Sequence, residues 1–342
     1  METHANVCVI VLAYGDRTTS LRQVIDALLI QEIGSIVVIE NAIVVQTQRM
    51  LDAYCAKYTS VFTRISFPDN QGSAGGFKAG IRAAANLEDC NYFWLLDDDN
   101  CPDQGSLQAL LGQYGQLSEA ISSRYLALQS YRIDWRTMRD MVRGVVAPAM
   151  PRPGAFIGFH IFNLGSAVKR LLFTPESVSN HRIEREGGRI ELYHAPYGGF
   201  FFHRDALSLL GYPNARLFLY TDDTEYTLRF TRAGGRIFLI SDSVVRDVDP
   251  AWDERGSSRF NISRRLLEGS GSKVYYEVRN RIYLSRKILS GGRFIYFLNK
   301  YVYLSAALVL AFRYHCFDRF RLLFTAAHDG EHGKLGRLEH AD

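Results

Sequence analysis

Short apolar runs and longer stretches with helical spacing alternate regularly over the first hundred residues. Residues 7–12 (VCVIVL) are apolar throughout and largely β-branched, the pattern of a strand buried on both faces. A loop follows, Ala13-Tyr14-Gly15-Asp16-Arg17, and Thr18-Thr19-Ser20 can cap a helix running to residue 30. Residues 35–39 (SIVVI) predict a second strand ending at Glu40-Asn41, residues 45–58 a second helix, and residues 61–67 a third strand ending at Pro68-Asp69-Asn70. The glycine-rich stretch Gly72-Ser73-Ala74-Gly75-Gly76 then opens an alanine-rich helix to about residue 87. Residues 93–96 (FWLL) are a fourth strand that runs directly into Asp97-Asp98-Asp99. This alternation predicts an α/β fold, a parallel sheet with helices on both faces, and the polar strand ends then line one crevice.

The pattern is less regular from about residue 107 to 190. It holds helix-like stretches, a proline cluster from Pro148 to Pro153, and an irregular strand over 154–165, which would complete the sheet and form an acceptor wall. Gly198-Gly199 is a turn into the aromatic strand 200–202, and a helix begins at Asp205. Residues 217–220 (LFLY) read as a further aromatic strand leading into Asp222-Asp223-Thr224-Glu225, where a helix starts that closes at Gly234-Gly235. Residues 236–240 are another strand. From Tyr275 the chain is helical and rich in Arg and Tyr. Its apolar stretch 294–312 is interrupted by Asn299 and Lys300, leaving a clean run of 12 residues, 301–312. A membrane-spanning helix needs about 20, so this run predicts an interfacial or core helix.

At 342 residues, 47% hydrophobic and 22% charged, the composition is that of a globular protein with ample core. The N-terminus shows no basic and apolar leader, and five scattered cysteines without metal spacing read as reduced thiols, so a cytoplasmic location is expected. The net charge of +4 conceals an asymmetry: residues 255–342 carry +9 and the preceding residues −5. An acidic front argues against nucleic acid as a partner. A basic, aromatic-rich tail suits an anionic surface such as lipid headgroups.

Three adjacent carboxylates repel one another unless a cation neutralises them. A solvated acidic turn would explain one or two, but three abutting Phe-Trp-Leu-Leu point to a metal. On an extended chain Asp97 and Asp99 share a face, an oxygen pair suited to Mg²⁺ or Mn²⁺ with phosphate completing the shell. The glycine-rich stretch would cradle phosphate at a helix N-terminus or simply form a tight turn; its pattern does not separate the two. The acids at 222–225 are favoured by the helix dipole. Following a strand in a chain that already has three aspartates, they also read as a second carboxylate group facing the same crevice. Metal-bound phosphate on one side and a carboxylate base on the other are the requirements of glycosyl transfer.

Glu40-Asn41, Asn70-Gln71-Gly72, Gly75-Gly76, Leu96-Asp97-Asp98-Asp99, Gly198-Gly199, Asp222-Asp223-Thr224-Glu225-Tyr226 and Arg279-Asn280 occur in the order found in family 2 glycosyltransferases. Over residues 5–340 the chain resembles that family, and most of all the bacterial galactofuranosyl- and rhamnosyltransferases. The resemblance implies the inverting GT-A fold, a Rossmann-like, mixed and mainly parallel sheet over residues 1–255, with a helical region at 256–342. It implies a UDP- or dTDP-sugar donor, a lipid-linked or polysaccharide acceptor in cell-surface glycan synthesis, and a place against the inner face of the cytoplasmic membrane. A homo-oligomer is compatible with it. Asp97 and Asp99 would hold the metal and donor diphosphate, with Asp98 nearer the ribose or sugar. Glu40 and Asn70, with Ala13, Tyr14, Arg17, Gly72 and Lys78, would line the donor site. Asp223 would be the catalytic base, with Asp222, Glu225, Gly198, Gly199 and Trp252 around the acceptor or sugar. Galactofuranosyltransferases carry a histidine as third metal ligand where this chain has Asp247; Asp249 is a rival, and Arg246 would alternatively contact phosphate. Arg279-Asn280-Arg281 would meet the acceptor's diphosphate or the membrane. A nucleotidyltransferase and a non-catalytic glycan-binding scaffold are the competing readings. The first lacks a basic glycine-rich loop after strand one, and the second leaves both acid clusters unexplained.

Overall fold

The computed structural model describes residues 6–148, 152–163, 189–249, 262–287 and 292–338; Trp252 and most of the stretch 154–188 lie outside them. The chain divides into two compact units. The first comprises residues 1–148, 181–215 and 223–254. The second is not confined to 256–342, because it also takes in 149–180 and 216–222.

In the first unit, β1 (Val7–Tyr14), α1 (Thr18–Ile30), β2 (Ser35–Asn41), α2 (Val45–Lys57), β3 (Phe62–Phe67), α3 (Gly72–Ala85) and β4 (Tyr92–Asp97) follow the order the pattern predicts. Their strands pair in parallel in the order β3-β2-β1-β4. The half after β4 makes the sheet mixed. It contributes β5 (Asn100–Pro102), α4 (Ser106–Ser118), β6 (Leu126–Arg132), α5 (Arg136–Val142), β7 (Arg189–Leu192), β8 (Phe200–His203), α6 (Leu207–Leu210), α7 (Asp222–Arg232) and β9 (Arg236–Asp247). The strand order continues β8-β6-β9-β5, with β7 also on β9. The short β8 is antiparallel to both β4 and β6, while the longer β6 and β9 run parallel.

Side chains alternate along each strand between two cores. Cys8, Ile10 and Leu12 of β1 and Phe93 and Leu95 of β4 join Phe77 and Ile81 of α3 and Tyr226 and Phe230 of α7. Val9 and Val11, with Trp94 and Leu96, face the other way, onto Leu21 and Val24 of α1 and Leu107 and Leu110 of α4. Leu95 and Phe93 therefore place Asp97 on the α3–α7 face. The helix that carries Asp223 packs on that same face. The glycines of α3 contribute to this packing. A Cβ on Gly76 would lie 2.4 Å from Leu12 Cδ1, and one on Gly80 would lie 2.5 Å from Ile10 Cγ2. Between the two readings of the glycine-rich stretch, these contacts establish close helix–sheet packing.

Two elements differ from the sequence pattern. Residues 217–220 form no strand: a short 3₁₀ turn (Ala215–Leu217) is followed by Phe218, Tyr220 and Thr221 at φ of 67°, 63° and 64°. Three non-glycine residues in the left-handed region store strain directly before α7, and such backbone persists only where surrounding bonds hold it. In the second unit, α8 (Ile262–Leu267), α9 (Gly271–Lys287), α10 (Arg293–Arg313) and α11 (Phe317–His332) enclose a core of Phe156, Tyr276, Val278, Tyr303 and Leu323. Asn299 and Lys300 do not interrupt α10, because partners within the unit satisfy both. Asn299 Nδ2 donates to Gly154 O, and Lys300 Nζ pairs with Glu331 at 2.8 Å.

Candidate active site

The carboxyl end of β4 gathers a cluster of carboxylates with Arg17 and Arg132 beside it. Asp98 is buried, and its Oδ2 accepts the Tyr14 N–H at 2.9 Å, with Arg17 Nε 3.9 Å from its other oxygen. Burial pushes the Asp98 carboxyl up to about 8, with Asp99 and Asp97 adding repulsion against the lowering effect of the Tyr14 N–H and Arg17. Asp97 rises to about 7, again mainly through burial, with Asp99, Asp247 and Asp223 as the repelling charges and Arg132 opposing them. Asp99 is raised as well, by burial first and by Asp247, with Arg132 and Arg17 opposing. Asp223, from a helix far along the chain, is thus close enough to Asp97 to disfavour its ionisation.

Two residues that hold this cluster were not singled out from the sequence. Asn100 is fully buried. Its Nδ2 donates to Asp99 Oδ1 (2.9 Å) and Asp247 Oδ1 (3.1 Å), and its Oδ1 accepts the Asp97 N–H (3.2 Å). Arg132, at the end of β6, donates from Nη2 (2.5 Å) and Nε (3.2 Å) to Asp247 Oδ1 and stacks 4.1 Å from the Trp135 ring. Trp135 Nε1 donates to Asp247 Oδ2 at 3.1 Å. Both Asp247 oxygens are therefore engaged, and in this geometry Asp247 serves as the counter-ion of Arg132. Asp249 is paired with Arg17 at 2.7 Å, and Arg246 clasps Asp103 through two bonds of 2.8 and 2.9 Å.

Gly198 explains how Asn100 fits. A Cβ there would stand 2.0 Å from Asn100 Oδ1 and 3.1 Å from Arg132 Nη1. Gly199, at φ 94°, brings its carbonyl to Ser130 N at 2.9 Å. Both glycines thus seat the turn that leads into β8 against the cluster. Gly198→Ala is expected to displace Asn100 and cost about 1–3 kcal/mol by overpacking, read as a lower midpoint in urea unfolding.

The donor-side residues form a second network. Glu40 is buried at the end of β2, ion-paired with Arg64 Nε and accepting Ser66 Oγ–H at 2.8 Å. Asn41 Nδ2 donates to Asn70 Oδ1 (3.0 Å), while Asn70 Oδ1 accepts the Gly72 N–H (2.8 Å) and Asn41 Oδ1 the Gln71 N–H (2.7 Å). Ala13 is buried, Tyr14 is half exposed, and Lys78 is half-buried on α3.

On α7, Asp223 is half-buried and its Oδ1 accepts the Thr224 N–H. Asp222 is buried. Glu225 is buried and paired with Arg229 one turn on, at 3.1 Å. Thr227 Oγ donates to the carbonyl of Ala195 or of Asp223, at 2.9 and 2.8 Å, and accepts the Ala195 N–H at 3.0 Å, fixing the helix beside the segment that leads to Gly198. Tyr197 and Phe200–Phe202 are core residues, and His203 accepts the Asp205 N–H as a cap.

Arg279 and Asn280 depart from the expectation. They are 1% and 0% exposed, so neither meets a membrane or an acceptor phosphate from the surface. Asn280 Nδ2 lies 2.8 Å from each of the carbonyl oxygens of Leu217, Leu219 and Tyr220, one more acceptor than its two hydrogens serve separately. Arg279 Nη2 also donates to Leu217 O, at 2.9 Å, and its Nε to Asn280 Oδ1. The pair holds the strained turn that runs into α7. Asn280→Leu, which keeps the volume and removes the donors, is expected to cost about 3 kcal/mol by orphaning buried carbonyls. Equilibrium unfolding in guanidinium would measure it.

Asp97 and Asp99 offer hard oxygen donors whose buried repulsion a divalent cation would relieve, so these residues fit Mg²⁺ or Mn²⁺. Among the described residues no three His, Cys, Asp or Glu side chains converge as a ready cage.

A sequence profile of glycosyl transferase family 2 matches residues 8–207, more than half of the chain, from the second residue of β1 through β8. The chain belongs to glycosyl transferase family 2. No curated protein sequence matches this transferase. Among solved structures, GalNAc-T7 with UDP, GalNAc and Mn²⁺ shares 13% identity at a TM-score of 0.51, over 90% of this chain and 55% of that one. The mannosyltransferase PcManGT from Pyrobaculum calidifontis, in complex with GDP-Man and Mn²⁺, shares 16% identity at 0.49, over 95% and 86%. S. aureus TarS shares 13% identity at 0.46, over 82% and 39%. The transferase thus spans well under two thirds of TarS and of GalNAc-T7. Its fold is GT-A, with a helical region after the sheet.

Proposed function

We propose that this transferase moves a sugar, galactofuranose or rhamnose, from a UDP- or dTDP-linked donor to a lipid-linked or polysaccharide acceptor, with inversion and with Mn²⁺ or Mg²⁺ as cofactor. The observation that carries the reading is that Asp97, at the end of β4, lies on the sheet face against which α7, the helix of Asp223, packs. Asp223 takes the proton from the acceptor hydroxyl. That oxygen bonds to the anomeric carbon from the face opposite the diphosphate, and the bond from that carbon to the diphosphate oxygen breaks. Asp97 and Asp99 would hold a divalent cation, whose positive charge would stabilise the departing nucleoside diphosphate. Asn100 and Arg132 hold the carboxylates in place, and the Asn41–Asn70 network fixes the loop expected under the donor. The UDP and Mn²⁺ in the GalNAc-T7 structure agree with this chemistry in kind.

The test is a donor-hydrolysis screen across UDP-, dTDP- and GDP-sugars with Mg²⁺ and Mn²⁺ compared. Metal-dependent hydrolysis of UDP-galactofuranose or dTDP-rhamnose supports the reading. Turnover of GDP-mannose alone would replace the donor assignment, and metal-independent turnover would remove the cation from it.

A further inference from the structure

The second unit carries a surface that the transfer chemistry does not use. The inner side of α10 is tied into its unit: Tyr296, Asn299, Tyr303, Leu304, Ala307 and Ala311 are buried, and Lys300 with Tyr296 converges on Glu331. The outer side exposes Phe294, Phe297, Tyr301, Leu308, Val309 and Phe312, with Phe294 at 79%, Val309 at 68% and Phe312 at 72%. These six positions follow one helical face for about 27 Å at the α-helical rise. The only charged residue between Arg293 and Arg313 is Lys300, and it points inward. Phe317 and Phe324 of α11 are exposed as well. A contiguous apolar stripe of this length marks a docking surface rather than scattered exposure.

Its charge pattern selects the occupant. Arginine stands at both ends of the stripe, and both arginines are exposed. Pairing with the same stripe of a second copy would bring arginine to arginine in either orientation. An anionic lipid surface complements both ends at once. A spanning placement would tear Asn299 and Lys300 from their partners, although α10 is long and apolar enough to cross a membrane by length and composition. We propose that α10 lies in the plane of an anionic membrane, its aromatic face at the acyl boundary and Arg293 and Arg313 at the headgroup phosphates. The inference stands on the second unit alone and holds whichever sugar is transferred.

The test is co-sedimentation of the full chain with phosphatidylcholine vesicles, with and without about one-third phosphatidylglycerol. The wild type is expected to bind the anionic vesicles, less so at high salt. Phe294→Glu with Phe312→Glu should lower that partitioning about tenfold or more and leave donor hydrolysis and the melting temperature unchanged, since both side chains are exposed. Arg293→Glu with Arg313→Glu should abolish the preference for phosphatidylglycerol. Absence of wild-type binding, or equal binding by the phenylalanine variant, overturns the proposal. So does a wild-type dimer in light scattering that the phenylalanine variant dissolves without any vesicle binding, because the stripe would then be a self-interface.

Discussion

Asp223→Asn is expected to lower sugar transfer about a thousandfold while leaving metal-dependent nucleotide binding unchanged, since a positioned base contributes about 10²–10⁴ to such a step. The substitution keeps the side-chain size and the Oδ1 that accepts the Thr224 N–H, so α7 keeps its first turn. It removes the proton acceptor and, with it, a charge that disfavours ionisation of Asp97. Donor affinity should therefore hold or rise slightly, so the loss appears in kcat. Steady-state kinetics together with a nucleotide-binding titration separate the two quantities. Transfer at the wild-type rate would remove Asp223 from the base role and turn attention to Asp222.

Asp99→Ala should abolish the stabilisation that Mn²⁺ and UDP together give the wild type in a thermal-shift assay, with transfer lost in parallel. Stability without ligand should change little. The variant forfeits one hydrogen bond from Asn100, worth about 1 kcal/mol. It also relieves a buried carboxylate whose protonation is favoured by burial and by Asp247. These effects oppose one another. A large fall in the melting temperature of the ligand-free variant would mean that Asp99 is chiefly structural, and a preserved Mn²⁺ response would assign the cation elsewhere.

The first four strands and their helices were legible because each is a local apolar run with a polar end, and parallel α/β units repeat that signal. Arg132 obeys the same strand-end logic, closing the run 126–131, but the irregular pattern on either side of that run hides it. Asn100 stood beside the three aspartates in plain view, but its role depends on Gly198, almost a hundred residues away, and no spacing rule joins them. Residues 217–220 read as a strand because Leu-Phe-Leu-Tyr has strand composition. Tertiary bonds from Asn280 decide otherwise. The resemblance implies acceptor or membrane contact for Arg279, whereas the side chain is buried. A buried arginine with carbonyl partners is visible only in three dimensions. Asp247 matched an expected ligand by order along the chain, whereas its surroundings commit it to Arg132 and Trp135.

The antiparallel seat of β8 beside β4 has a consequence for how the chain is made. Tyr92 pairs with His203 and Leu95 with Phe200, so one edge of the aspartate-bearing strand waits for residues more than a hundred positions later. At about 5–20 residues per second, the ribosome leaves Phe93-Trp94-Leu95 with an open hydrogen-bonding edge for about 5–20 s. Open apolar edges recruit other strands. A nascent or truncated chain ending before residue 200 would thus be prone to aggregate although it contains all of β1 to β4. The chaperone demand of this protein should fall once β8 has emerged and closed that edge.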